Sequence, residues 1–79
     1  MELEYLQIVI AEVLHVDRRE VTMDSTFVED LGADSLDMFQ IFTRSEEKFD
    51  IRVPDKEWHT VRTVGDAVRL IRAARKTDQ

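Results

Sequence analysis

Three stretches of this chain repeat their apolar residues at the spacing of an α-helix, and no stretch alternates long enough to make a strand. Leu3, Leu6, Ile10, Val13 and Leu14 share one side of a first helix, with Glu2, Glu4, Gln7 and Glu12 largely on the other. The period returns from Ser35 to Phe49, where Phe39, Phe42 and Phe49 cluster on one side of a second. Pro54 followed by Asp55 suits the first turn of a short third helix running to about Thr60. Thr63 with Asp66 three positions on predicts a capping box in which Asp stands for Glu, and Val64, Ala67, Val68, Ile71 and Ala74 predict a fourth helix over 64–74. Between His15 and Asp34 no period survives, and a connection of about 20 residues is long for a compact domain. Its apolar residues Val21, Met23, Phe27, Val28 and Leu31 predict a loop folded over the core. The expected fold class is all-α, a four-helix bundle with a long loop between helices one and two and a short third helix.

With 79 residues, the chain is read as a single domain over 1–79, too small to enclose both a rigid core and a deep, dry catalytic cleft. An autonomous enzyme is not expected. The chain has no Cys, so neither disulfides nor thiolate metal ligands staple it. His15 and His59 lie far apart without zinc-like spacing; they are expected at or near the surface, and no metal site is assigned. The opening MELEYLQ is acidic, unlike a secretory signal, and the longest apolar run is only Ile8–Ala11, so a monomeric, cytoplasmic protein without membrane contact is expected. A net charge of −6 disfavours nucleic acid as a partner. Asp24, Glu29, Asp30, Asp34 and Asp37 stand together without a Lys or Arg among them, whereas the segment from Arg62 onward is rich in basic residues. A partner steered by charge would meet the acidic end with a basic patch.

That acidic end contains EDLGADSLD, residues 29–37, with one hydroxyl among four acids. A nucleophilic serine needs a base and a stabiliser of developing charge, and flanking carboxylates supply neither. Ser35 opens helix two, where Ser and Asp cap free backbone N–H groups; the same place suits a serine bearing a phosphate group, because helix N-termini stabilise anions. Position alone leaves both readings open. Leu36 projects toward Gln40, Thr43 and Glu47 instead of the core, either as an ordinary exposed leucine or as the apolar centre of an interface with a charged rim.

The triplet Asp34-Ser35-Leu36 within DLGADSLD, with Phe27 upstream, EEKFDIRVPD at 46–55 and TVGDAV from Thr63, resembles the acyl carrier protein family over almost the full chain. The resemblance implies a non-catalytic carrier whose Ser35 receives 4′-phosphopantetheine from a phosphopantetheinyl transferase, the thiol of that arm then holding acyl groups as thioesters. It implies that acyl-transferring or acyl-activating enzymes dock basic patches onto Asp34, Leu36, Asp37, Glu46 and Glu47. It further points to Phe39, Phe42, Ser45, Trp58, Val61 and Ala67 as candidates around an acyl pocket.

Ser45 stands where the family usually has leucine, and Trp58 where a small residue is common. The indole either enters and narrows the pocket or lies flat on the surface. Gln40, Arg44 and Lys48 make helix two less acidic than in typical fatty-acid carriers, which suggests a dedicated fatty-acid, polyketide or related pathway. The alternatives are an aminoacyl or peptidyl carrier, against which the DLGADSLD context speaks, and an acidic interaction module without a prosthetic group. An EF-hand is not among them, because the D-x-D-x-D-G loop is missing.

Overall fold

The computed structural model describes residues 1–77; Asp78 and Gln79 lie outside the described residues. Its helices are α1 (Glu2–Leu14), α2 (Ser35–Phe49), α3 (Asp55–Trp58) and α4 (Val64–Thr77), and α1 packs against both α2 and α4. No strand forms among the described residues, so the all-α bundle expected from periodicity is what the chain adopts. Two boundaries move. The third helix stops at Trp58, two residues before Thr60, and the fourth runs past Ala74 to Thr77. Arg75, one residue past the expected end, favours that extension by reaching the Glu2 carboxylate at 2.6 Å, where Arg72 from within the expected helix also bonds at 3.1 Å.

Glu2 therefore departs from the expected exposed face of the first helix. Its side chain is only 11% exposed because two guanidiniums surround it. Burial raises its pKa, but hydrogen bonding to its own backbone N–H and the two arginines outweigh burial and hold the carboxyl below its ordinary value. On the apolar side, Leu6, Val9 and Ile10 join Val64, Ala67, Val68 and Ile71 in the core.

The long loop is internally packed. A 3-10 turn at Arg18–Glu20 begins it, Asp17 capping that turn by accepting from the Arg19 N–H. Val21, Phe27 and Leu31 are buried and Met23 packs against the core, whereas Val28 is exposed. The loop is tied to the start of α4 by an isolated antiparallel bridge between Thr26 and Thr63, where the Phe27 N–H donates to Arg62 O at 3.0 Å and the Val64 N–H to Ser25 O at 2.9 Å. The Gly65 N–H adds a bond to Met23 O at 2.8 Å, and a Cβ at Gly65 would stand 3.0 Å from that same oxygen. Glycine lets the two backbones approach this closely without either having to give way. The expected cap forms: the Asp66 N–H donates to Thr63 Oγ1, and Asp66 Oδ2 accepts from the Thr63 N–H.

Candidate functional site

The start of α2 is set by a reciprocal pair of aspartates. The Asp37 N–H donates to Asp34 Oδ1 at 2.9 Å, and the Asp34 N–H donates to Asp37 Oδ2 at 3.2 Å. Asp34 is thus the cap residue and Ser35 the first helical residue. Just before it, the Ala33 N–H bonds Phe27 O at 2.8 Å, and Gly32 takes a φ of 71°, a left-handed conformation that favours glycine. The Asp30 carboxylate closes the preceding turn by accepting from the Thr26 N–H at 2.9 Å.

Because the aspartates cap the helix, the Ser35 hydroxyl is left for other work. It is exposed and makes no hydrogen bond among the described residues. The N–H groups of Ser35 and Leu36 are likewise unengaged there, at the positive end of a 15-residue helix. A phosphate diester on the serine oxygen fits this place: the oxygen is accessible, and backbone donors stand ready for an anion. The terminal thiol of a 4′-phosphopantetheine bound there would supply the thioester chemistry that the chain's own side chains lack.

Beside Ser35 lies a cavity of about 340 Å³ between α2 and α3. Ser35 and Phe39 stand on its lining together with Phe42, Trp58 and Val61. Trp58 is 6% exposed, so the indole is inside the protein and not flat upon it. Its ring stacks on Phe42 with centroids 4.0 Å apart, and Phe42 meets Phe27 edge-on at 6.2 Å.

Other candidates are placed differently. Ser45 is fully buried, its hydroxyl donating to Ile41 O at 2.8 Å within the same helix, and neither it nor Ala67 lines the cavity. Phe39 is 65% exposed, because the buried stripe of α2 centres on Ile41 and Ser45 and Phe39 lies about 120° round the helix from the latter. It reaches the cavity from the rim.

Among the docking candidates, Asp34, Leu36 and Glu47 are exposed and Asp37 half-buried. Glu46 is half-buried, its Oε2 accepting from the Val53 N–H at 2.8 Å and lying 3.5 Å from the Trp58 indole nitrogen. The carboxylate thereby ties α2 to the segment entering α3. Met38, Thr43, Asp55 and His59 also line the cavity, and sequence reasoning did not assign them to it. Met38 and Thr43 flank Phe42 by one helical turn and by one residue, a signal that helical geometry offered. Asp55 and His59 are brought in by the path of α3, which periodicity does not define. His15 is exposed at the end of α1.

A small helical fold that offers a serine unengaged among the described residues, at a helix start beside a recess floored by aromatic rings, has the build of a carrier whose reactive group is added to it. The family model described as "Phosphopantetheine attachment site" matches residues 4–71. The chain is 45% identical over 73 residues to an acyl carrier protein of Clostridium acetobutylicum, covering 92% of this chain and 95% of that protein. It is 52% identical over 63 residues to one from a Sulfurovum species, covering 80% and 84% respectively. A solved structure described as an acyl carrier protein from Mycobacterium tuberculosis superposes with a TM-score of 0.86 at 33% identity, covering 92% of this chain and 97% of that one.

The chain belongs to the acyl carrier protein family. It is a non-catalytic carrier with a covalently attached 4′-phosphopantetheine, served by a phosphopantetheinyl transferase and by acyl-handling enzymes. Among the described residues no helix is long and apolar enough to cross a membrane.

Proposed function

We propose that Ser35 carries the 4′-phosphopantetheine arm and that this single, monomeric carrier domain delivers acyl thioesters in the cytoplasm to the enzymes of a dedicated fatty-acid, polyketide or related pathway. The observation that carries the reading is the Ser35 hydroxyl itself: exposed, without a hydrogen bond among the described residues, and relieved of capping by Asp34 and Asp37. The transferase supplies the base and the activated donor, so the neighbouring acids have a different task. Exposed Asp34, Leu36 and Glu47, with Asp37, present an apolar contact rimmed by negative charge to a basic partner patch. Glu46 adds its charge beside them while one oxygen holds the fold.

Support for a dedicated pathway comes from α2. Arg44 points its guanidinium to Glu12 at 3.2 Å, and Lys48 sits over the Tyr5 ring at 5.8 Å, so the middle of this surface is of mixed sign. Partners selected by it need less basic patches than those of a uniformly acidic carrier. The test is intact mass after incubation with coenzyme A and a broad-specificity phosphopantetheinyl transferase. Addition of one phosphopantetheine to the wild type and none to Ser35→Ala is expected. An unmodified wild type, or a modified Ser35→Ala, overturns the assignment.

A further inference from the structure

The cavity beside Ser35 is bounded by specific side chains in two directions. Inward, the Trp58 indole lies against Phe42, and Phe42 against Phe27, which is 1% exposed; packed core stands behind the stack. Along the groove between α2 and α3, Glu46 borders both this cavity and a second recess of about 440 Å³ that extends past Glu47 and Asp50 to Val53. The bond from the Val53 N–H to Glu46 Oε2 holds the carboxylate at that junction. Among the described residues, Glu46 and Asp55 line the first cavity and no Lys or Arg does, whereas Arg52 stands beside Val53 on the second recess, beyond Glu46.

We propose that Trp58 and Glu46 are specificity-determining residues that restrict sheltered cargo to short, uncharged acyl groups, leaving long-chain and carboxylate-terminated groups outside. The inference rests on attachment at Ser35. A long chain that continues inward must displace a buried, stacked indole; one that continues along the groove must pass a carboxylate and strip water from it. A cargo ending in its own carboxylate meets exposed Asp55 and half-buried Glu46 at close quarters, where like charges repel and the half-buried one is screened less than a surface acid. A short alkyl group meets neither obstacle and covers the exposed edges of Phe39 and Phe42.

The test uses pantetheinylated protein loaded with butanoyl, dodecanoyl or succinyl groups, each sample verified by intact mass. Hydroxylamine cleavage of the thioester is timed against the matching free acyl-pantetheine. In the wild type, cleavage of the butanoyl form is expected to slow about tenfold, the effect of burying roughly two methylenes, whereas the other two forms react as fast as their free counterparts. Trp58→Leu should extend protection of about that size to the dodecanoyl form. Glu46→Gln keeps an acceptor for the Val53 N–H while removing the charge, and should slow cleavage of the succinyl form severalfold. Trp58 emission, which needs no variant, should be the same in unloaded and dodecanoyl wild type. Dodecanoyl or succinyl protection equal to butanoyl in the wild type, or an emission shift on dodecanoyl loading, overturns the proposal. Failure of the Ser35 assignment shows earlier and separately, as absence of the mass increase in the wild type or its persistence in Ser35→Ala.

Discussion

The rings of Phe42 and Trp58 lie parallel, 4.0 Å between centroids and 8° between planes, and join α2 to α3 across the cavity floor. α3 has only four residues and could not persist as a helix alone, so this contact and the Glu46 bond to Val53 set its position. In a double-mutant cycle of Phe42→Leu and Trp58→Leu, read by urea denaturation, the coupling energy is expected at about 0.5–1.5 kcal/mol. Strict additivity of the two substitutions would show that the stack contributes no energy of its own.

The division of labour at the start of α2 predicts opposite outcomes for adjacent residues. Asp34→Ala should cost about 0.5–2 kcal/mol, because it removes the acceptor of the Asp37 N–H, while still permitting pantetheinylation. Ser35→Ala should change stability by less than about 0.5 kcal/mol, a typical surface value, and abolish loading. A large loss of stability in Ser35→Ala would mean that its hydroxyl caps the helix after all.

Docking is expected to combine apolar persistence with electrostatic steering. Leu36, 65% exposed, has no role in the core, so Leu36→Ala should leave the circular dichroism spectrum unchanged yet slow loading by the transferase about fivefold or more. Glu47→Lys should act mainly through the association rate, with its effect shrinking as salt is raised. Normal loading rates in both variants would remove this face from the interface.

Acid should weaken the protein through two carboxylates. Asp66 is lowered from the ordinary 3.8 to about 2, chiefly by the N–H groups of Thr63 and Arg62 and then by Arg69. A carboxyl depressed in the folded state stabilises above its unfolded value, and that contribution disappears as pH falls from about 4 to about 2. With 34% of its side chain exposed, solvent screening reduces the contribution to about 1 kcal/mol. Glu2 acts in the same direction, its arginine partners being lost on protonation. Urea midpoints measured across this range should fall in the wild type and fall less in Asp66→Asn.

Sequence by itself determined what is local. The helical stripes, the Thr63–Asp66 cap and the packed apolar residues of the long loop all follow from spacings of a few residues, because helical periodicity and capping bonds act within one turn. The DSL triplet likewise placed a serine at a helix start. Which residue capped that helix was not legible there, since Asp34 and Ser35 both have suitable oxygens and only the backbone conformation of Asp34 chose between them. Tertiary structure alone decided the contacts between distant segments. Glu2 looked like one more surface acid until α4 brought Arg72 and Arg75 to it from the far end of the chain. Glu46 looked like a docking charge, and the turn into α3 gave its oxygen the Val53 N–H. Phe39, expected on the same side as Phe42 and Phe49, is exposed, and Trp58, which sequence left open between pocket and surface, is buried. Hydrophobicity is not directional, so an aromatic side chain is buried only where another element arrives to cover it.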